Sequence, residues 1–338
     1  MLYLVCCLLK HLVWMISLPY FFQKHWSIVG DSVTATCLHC LNEGASLTGI
    51  NHTLITLISK IKSAEKITDF GPISLCNVLY KIISKTLANR FRTVLNLVIS
   101  DSQSAFIPGR VITDNALVGF ECMHALKRKS NKKDGYMALK LDMSKAYDCV
   151  EWSFLVATML RLGFSQCWVD RIMRCVTSVS YSFMLNGSVV GSIIPSRGLR
   201  QGDPLSPYLF LICAEGLSAL ISDANVRGVF SGFRCSRNGH LITHLFFADD
   251  SMIFTKATST ECLNIQHIIL TYSRASGQSV NFQKSSVCFS KHVPDLLIEE
   301  LVQILGVQEV ASHKRYLGLQ RFISWDKRSV FQQIKDRI

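Results

Sequence analysis

The chain has 338 residues, with 36 Lys and Arg against 24 Asp and Glu, for a formal net charge of +12. Hydrophobic residues make up 49% and charged residues 18%, which excludes a disordered chain and leaves length for one large core or two smaller ones. The charge balance is that of a nucleic-acid binder or of an ordinary basic surface.

Residues 1–22 are almost wholly apolar, interrupted by Lys10 and His11. A signal peptide places its basic residue ahead of the apolar run, and a membrane span tolerates a central charge poorly. The expectation is therefore a buried segment or an ill-defined chain start, not a membrane anchor. The thirteen cysteines stand mostly alone among apolar residues, as Cys175, Cys213 and Cys288 do, and read as small core hydrophobes in a reducing compartment. Cys37, His39 and Cys40 form a lone zinc-like cluster with no second pair behind it.

Residues 53–61 read as a strand, broken by Asp69-Phe70-Gly71-Pro72. Residues 78–95 read as a helix with Leu79, Ile82, Ile83, Leu87 and Phe91 on its apolar face. Its other face carries Lys81, Lys85, Arg90 and Arg92, either solvated or in contact with phosphates. Residues 103–110 form a loop ending at Arg110, a second helix follows over 114–129, and the basic run 127–133 reads as a solvated loop.

Residues 136–142 alternate as a strand, with Met137, Leu139 and Leu141 to one side and Asp142 delivered at its end. Asp148 and Glu151 predict a capping box for a helix to Leu162, stopped by Gly163. Residues 180–195 predict a hairpin about Asn186-Gly187. Asp203-Pro204-Leu205-Ser206-Pro207 opens a long apolar helix to Ala224.

In Phe246-Phe247-Ala248-Asp249-Asp250-Ser251-Met252-Ile253, two adjacent carboxylates stand at the tip of an apolar strand–turn–strand pattern. An unpaired buried charge costs several kcal/mol, so two bare acids there point to a divalent cation. Asp142 with Asp249 and Asp250 is the candidate catalytic constellation. Magnesium takes one or two carboxylates plus water and substrate phosphates, and two such ions about 3.5–4 Å apart can serve phosphoryl transfer.

The order Asp142-Met143-Ser144-Lys145-Ala146-Tyr147-Asp148, then 196–207 with Arg200-Gln201-Gly202-Asp203, then Phe247-Ala248-Asp249-Asp250 resembles a reverse transcriptase. It is most similar to that of plant LINE-type (non-LTR) retrotransposons. Segments 51–58, 72–77, 103–110, 275–285 and 316–319 extend the likeness from about residue 21 to the chain end.

The resemblance implies an RNA-directed DNA polymerase, a nucleotidyltransferase using two Mg²⁺ ions and dNTPs on an RNA template and DNA primer. It implies an α+β right-hand fold with fingers and an antiparallel palm sheet packed on helices, the thumb largely missing. The implied organisation is an apolar segment without likeness at 1–20, an N-terminal and fingers region at 21–135, a palm with inserted fingers elements at 136–290, and a primer-grip region with a truncated thumb at 291–338. Asp142, Asp249 and Asp250 are implied as catalytic metal ligands. Tyr147, Arg200, Gln201, Gly202 and Lys284 are implied at the nucleotide, Tyr316, Leu317 and Gly318 at the primer end, and Arg110, Lys85 and Arg90 at nucleic acid. The expected compartment is intracellular, nuclear or cytoplasmic, without a stable membrane partner.

The sequence departs from the family pattern at Gly71, where a basic residue is usual, at Cys149 for an arginine and at Gln320 for a proline. The resemblance leaves an upstream Gly-Pro-Asp-Gly segment, an endonuclease, a ribonuclease H and most of the thumb unaccounted for, and the expectation is that such regions lie elsewhere. The competing expectation is a catalytically silent retrotransposon remnant that only binds nucleic acid.

Overall fold

The computed structural model describes residues 19–128, 135–313, 315–317 and 319–320. The apolar start, most of the basic run 127–133, Gly318 and the chain beyond 320 lie outside them. Two compact units share the chain: Met1–Val98 with Tyr147–Cys213, and Ile99–Ala146 with Ala214–Ile338.

Helix α1 (Trp26–Leu38) continues as a π-helical turn, His39–Glu43. His39 shares a 2.8 Å hydrogen bond with Glu43 one turn on, so its ring is drawn toward the acid rather than offered with Cys37 and Cys40. The eleven described cysteines are free thiols, and the buried ones pack as hydrophobes.

Strand β1 (His52–Ser59) pairs antiparallel with β2 (Phe70–Cys76). The expected break at Asp69–Pro72 is displaced: the connection is 60–69, and Phe70, Gly71 and Pro72 already belong to β2. Proline is tolerated there because β2 is an edge strand, where a missing N–H costs no ladder bond. Asn77 then caps α2 (Val78–Arg92), its side chain accepting from the Leu79 N–H at 2.9 Å. A short α3 (Leu95–Val98) follows, then α4 (Ile112–Arg128).

Strand β3 (Tyr136–Leu141) carries Met137, Ala138 and Leu139 all fully buried. It is covered on both faces, so the expected one-sided alternation gives way to a continuous apolar run. After β4 (Met143–Ser144), α5 (Trp152–Arg161) starts later than a capping box at Asp148 predicts. Glu151 takes the N-cap position without a side-chain cap bond and pairs with Arg197 at 3.3 Å instead. Gly163 ends the turn at φ +92°, as expected of a left-handed stop.

Helix α6 (Gln166–Thr177) leads to the hairpin β5 (Ser180–Leu185) and β6 (Ser188–Ile193). Asn186 at φ +49° and Gly187 at φ +83° form its tight turn, as the dipeptide predicts. The first unit's sheet has the order β2-β1-β5-β6, with β1 and β5 parallel. Helix α7 (Ser206–Val226) begins three residues after Asp203, whose Oδ1 accepts the Leu205 N–H at 2.9 Å. By length and composition α7 could cross a membrane, but Leu209, Phe210, Leu211, Ile212, Leu217 and Ile221 bury it on several faces, the mark of a core helix.

Next come β7 (Phe233–Arg234), β8 (Leu241–Ile242), β9 (His244–Phe247) and β10 (Asp250–Lys256). The chain then runs through α8 (Ser259–Ser276), β11 (Ser279–Val280), β12 (Ser286–Phe289), α9 (Asp295–Leu305) and β13 (Gln308–Glu309) to β14 (Arg315–Tyr316) and β15 (Leu319–Gln320). The second unit's main sheet has the order β13-β12-β3-β10-β9, antiparallel except for β12 with β13. Its core joins Met123 and Leu126 of α4 to Ala138, Phe233, Phe254 and Tyr316. The architecture is α+β, with an antiparallel sheet packed on helices.

Candidate active site

The main sheet of the second unit brings the backbones of Asp142, Asp249 and Asp250 to one end. In the β10–β3 ladder Ser251 pairs with Leu141, so Asp250 and Asp142 are the next step of the same register. Asp249 occupies the two-residue connection between Phe247 and Asp250, which pair with each other.

Both backbones are pinned. The Asp142 N–H donates to Ser285 Oγ at 3.0 Å, and its carbonyl accepts the Asn281 N–H at 2.7 Å. That ties the strand end to the turn bearing Lys284, an exposed residue. Ala248, preceding Asp249, sits at φ +53°, a left-handed conformation that costs a non-glycine residue about 1–2 kcal/mol.

Lys140, two residues before Asp142 and so on the same strand face, places its Nζ 3.4 Å from Asp250 Oδ1. Burial pushes the Asp249 carboxyl above its usual range, with the Asp250 and Asp142 carboxylates adding to the rise and Lys140 partly offsetting it. A cation relieves this like-charge strain, and oxygen-only donors suit a hard divalent ion. Among the described residues no three His, Cys, Asp or Glu side chains already stand grouped as a metal cage, so water and substrate phosphates would complete the shell. The acids fit magnesium on those terms.

Strand β9 carries a second buried titratable group. His244 shares hydrogen bonds with Ser218 Oγ at 2.8 Å and Thr243 Oγ1 at 2.9 Å. Burial pushes its pKa down to about 4. A depressed folded pKa means the neutral ring's stability is fully present above about pH 6.5 and is lost progressively as pH falls from there to about 4, at a cost reaching about 3 kcal/mol. Denaturant midpoints of wild type and His244→Gln at pH 7 and pH 4.5 should therefore converge at the lower pH; a constant gap would contradict this.

Two arginines expected at ligands lie inside their own units. Arg200 in the first unit has its side chain only 4% exposed. Its Nη1 donates to Thr53 Oγ1 at 2.7 Å and its Nη2 to Asn51 Oδ1 at 2.5 Å. It pairs with Asp203 at 3.6 Å and stacks on the Tyr80 ring at 4.3 Å. Arg110 in the second unit donates to the carbonyls of Ser100 at 2.5 Å, Gln103 at 2.6 Å and Ile99 at 3.1 Å.

The turn after Arg200 leaves Gln201 and Gly202 exposed, Gly202 at φ +92°. Half-buried Tyr147 stacks on Phe210, ring centroids 4.8 Å apart and planes at 13°. The Leu199 N–H donates to the Tyr147 carbonyl at 2.8 Å, so the 147–150 segment and the 198–202 turn are tied within one unit. Lys85 and Arg90 are exposed on α2. At Gly71, an added Cβ would stand 3.4 Å from Lys60 Cε, the nearest side chain.

Tyr316 is buried, and its hydroxyl donates to Asn115 Oδ1 at 2.7 Å. Asn115 in turn donates to the Phe246 carbonyl at 3.1 Å, so Tyr316 reaches the acid-bearing hairpin from inside the core. Leu317 takes φ +51°, and Gly318 lies outside the described residues. Gln103 and Asn115, which the sequence marked only as loop and helix positions, both bond the hairpin strand.

A sequence profile of the family described as reverse transcriptase (RNA-dependent DNA polymerase) matches residues 61–320. An uncharacterized mitochondrial protein of Arabidopsis thaliana is 55% identical over 69 residues, 20% of this chain and 57% of that protein. The retrovirus-related Pol polyprotein of the type-1 retrotransposable element R2 of Popillia japonica is 26% identical over 274 residues, 78% of this chain and 36% of that protein. Telomerase from Candida tropicalis, in a structure with a fragment of telomeric RNA, aligns with a TM-score of 0.53 and 13% identity over 80% of this chain and 43% of that one. At that identity the likeness speaks for the fold alone. The chain spans between about a third and somewhat more than half of these relatives' lengths.

Proposed function

Since the chain belongs to the reverse transcriptase family and has the mixed α/β polymerase fold, we propose that it is the RNA-directed DNA polymerase part of a plant LINE-type element. In this reading it extends a primer 3′-OH with dNTPs along an RNA template. The carrying observation is the β3–β10 register, which sets Asp142 beside Asp250 with Asp249 at the adjoining tip. The plant assignment rests on the motif order and on the short Arabidopsis match.

Asp142 and Asp249 would hold magnesium, with Asp250 as the third acid. Bound there, the ions supply charge neutralisation for an attacking hydroxyl and a leaving pyrophosphate. The chain's own residues supply placement. Lys284, on the turn stapled to Asp142, serves as the proton donor to pyrophosphate. Gln201 and the Gly202 backbone present the nucleotide-contacting turn, and exposed Lys85 and Arg90 meet the nucleic-acid backbone, a salt-dependent term. Tyr316, Leu317 and Gly318 support the primer end, Tyr316 through Asn115. Arg200 and Arg110 organise the chain around these contacts without touching a ligand.

Tyr147, held flat against Phe210, excludes a ribose 2′-OH by bulk. Tyr147→Ala should lower discrimination against ribonucleotides, by up to about 10²-fold given what apolar pockets achieve against an added hydroxyl. RNA-templated primer extension with dNTPs and rNTPs in parallel tests this; an unchanged ratio in an active Tyr147→Ala variant contradicts it.

A further inference from the structure

We propose that Gln103 is the positioning residue of the acid-bearing hairpin, a role that rests on reading Asp249 and Asp250 as the catalytic acids. Strand β9 is the edge of its sheet, and a bare edge leaves a row of N–H and C=O groups unpaired. Residues 102–104 cover it as a surrogate strand. The Phe246 N–H donates to the Ser102 carbonyl at 2.7 Å, the Ser104 N–H returns to the Phe246 carbonyl at 3.0 Å, and Gln103 bridges Phe246 in parallel sense.

From that position the Gln103 side chain, in a residue only 1% exposed, reaches past the strand to the turn. Its Oε1 accepts the Ala105 N–H at 3.0 Å and the Ala248 N–H at 3.1 Å. Two backbone donors on one oxygen fix the orientation of the carboxamide. Its Nε2 is consequently turned where no acceptor among the described residues meets it, buried and without a partner there. Such a donor costs about 1–3 kcal/mol, which packing alone gives no reason to incur.

What the side chain secures is Ala248, the left-handed residue at φ +53° that aims Asp249. The segment behind it is itself fixed. Arg110 binds the Ile99, Ser100 and Gln103 carbonyls, and Glu215 Oε2 accepts from the Ser100 N–H at 3.1 Å and Oγ at 3.0 Å. The chain Arg110–Gln103–Ala248 therefore connects a half-buried guanidinium to the residue before the catalytic carboxylate. Arg110 contributes to the site through this segment.

A displacement of about 1 Å at a reacting group can cost about 10²-fold in rate. In the full chain, Gln103→Met keeps the length and removes the acceptor. Its kcat for single-nucleotide incorporation should fall roughly 10- to 100-fold with KM for dNTP and duplex affinity nearly unchanged. Hydrogen exchange in the peptide 244–250 should accelerate while the rest of the unit keeps its protection. Gln103→Glu, which retains an oxygen acceptor, should keep the tip protected, and it carries the test if the Met variant fails to fold.

Unchanged kcat in an active Met variant, unchanged exchange at the tip, or an unprotected tip in folded Gln103→Glu would each overturn the proposal. If the wild type incorporates nothing, the polymerase reading fails. The exchange comparison still decides whether Gln103 holds the hairpin.

Discussion

Asp249→Asn should abolish primer extension while leaving the protein folded and bound to a primer–template duplex. Asparagine keeps the shape at the hairpin tip but removes a charged oxygen donor. Losing the metal's charge stabilisation is worth several kcal/mol, and about 4 kcal/mol is roughly a thousandfold in rate. Stability should move the other way. Asp249 is held among like charges, with burial, Asp250 and Asp142 all disfavouring its ionised form. Neutralising it removes repulsion that Lys140 only partly offsets, so the variant should unfold at the same or a higher temperature than wild type. Extension rates and melting curves on the same preparation give both signs at once. Retained extension, or loss of extension through unfolding, would contradict this assignment.

The second large effect is on stability. Arg200→Met should destabilise the chain by about 3–5 kcal/mol, the cost of breaking a buried pair from one side. The Asp203 side chain is 4% exposed, and Asn51 Oδ1 and Thr53 Oγ1 lose their bonds to the guanidinium. Among the described residues, Asp203 would keep the Tyr80 hydroxyl at 2.5 Å and the Leu205 N–H around an uncompensated buried charge. Against a total of about 5–15 kcal/mol for a typical domain, this is enough to lower the midpoint of denaturant unfolding severely. Asp203→Asn should cost less on the Arg200→Met background than on the wild type, because the two share one network. Additive losses would show that the pair is not coupled.

Local patterns in the sequence foretold most elements of the fold. Asn186-Gly187 forces a two-residue turn, Asn77 caps its helix, and Gly163 stops one, each through backbone chemistry confined to a few residues. The acids were legible for another reason: carboxylates between Phe246 and Met252 conflict with their apolar flanks, and such conflicts mark sites.

Interactions between distant segments were not legible. Gln103 and Ala248 lie 145 residues apart, and no local pattern announces their hydrogen bond. Arg200 stood in a motif position but turned inward, because a motif gives a side chain's identity without its direction. Half-buried Arg110 spends its guanidinium on nearby carbonyls. Asp148 and Glu151 had capping-box spacing, yet Arg197 claimed Glu151. Pro72 read as a breaker until the sheet order placed it on an edge. In each case tertiary context overrode a local preference.

The central claim, that the β3–β10 register assembles a working polymerase site, is tested most directly by wild-type extension of oligo(dT) on poly(rA) with Mg²⁺ and dTTP. The account predicts incorporation that depends on the divalent ion and on the RNA template. No incorporation by folded chain, shown to bind the same duplex, would contradict it and leave a nucleic-acid-binding remnant of a polymerase.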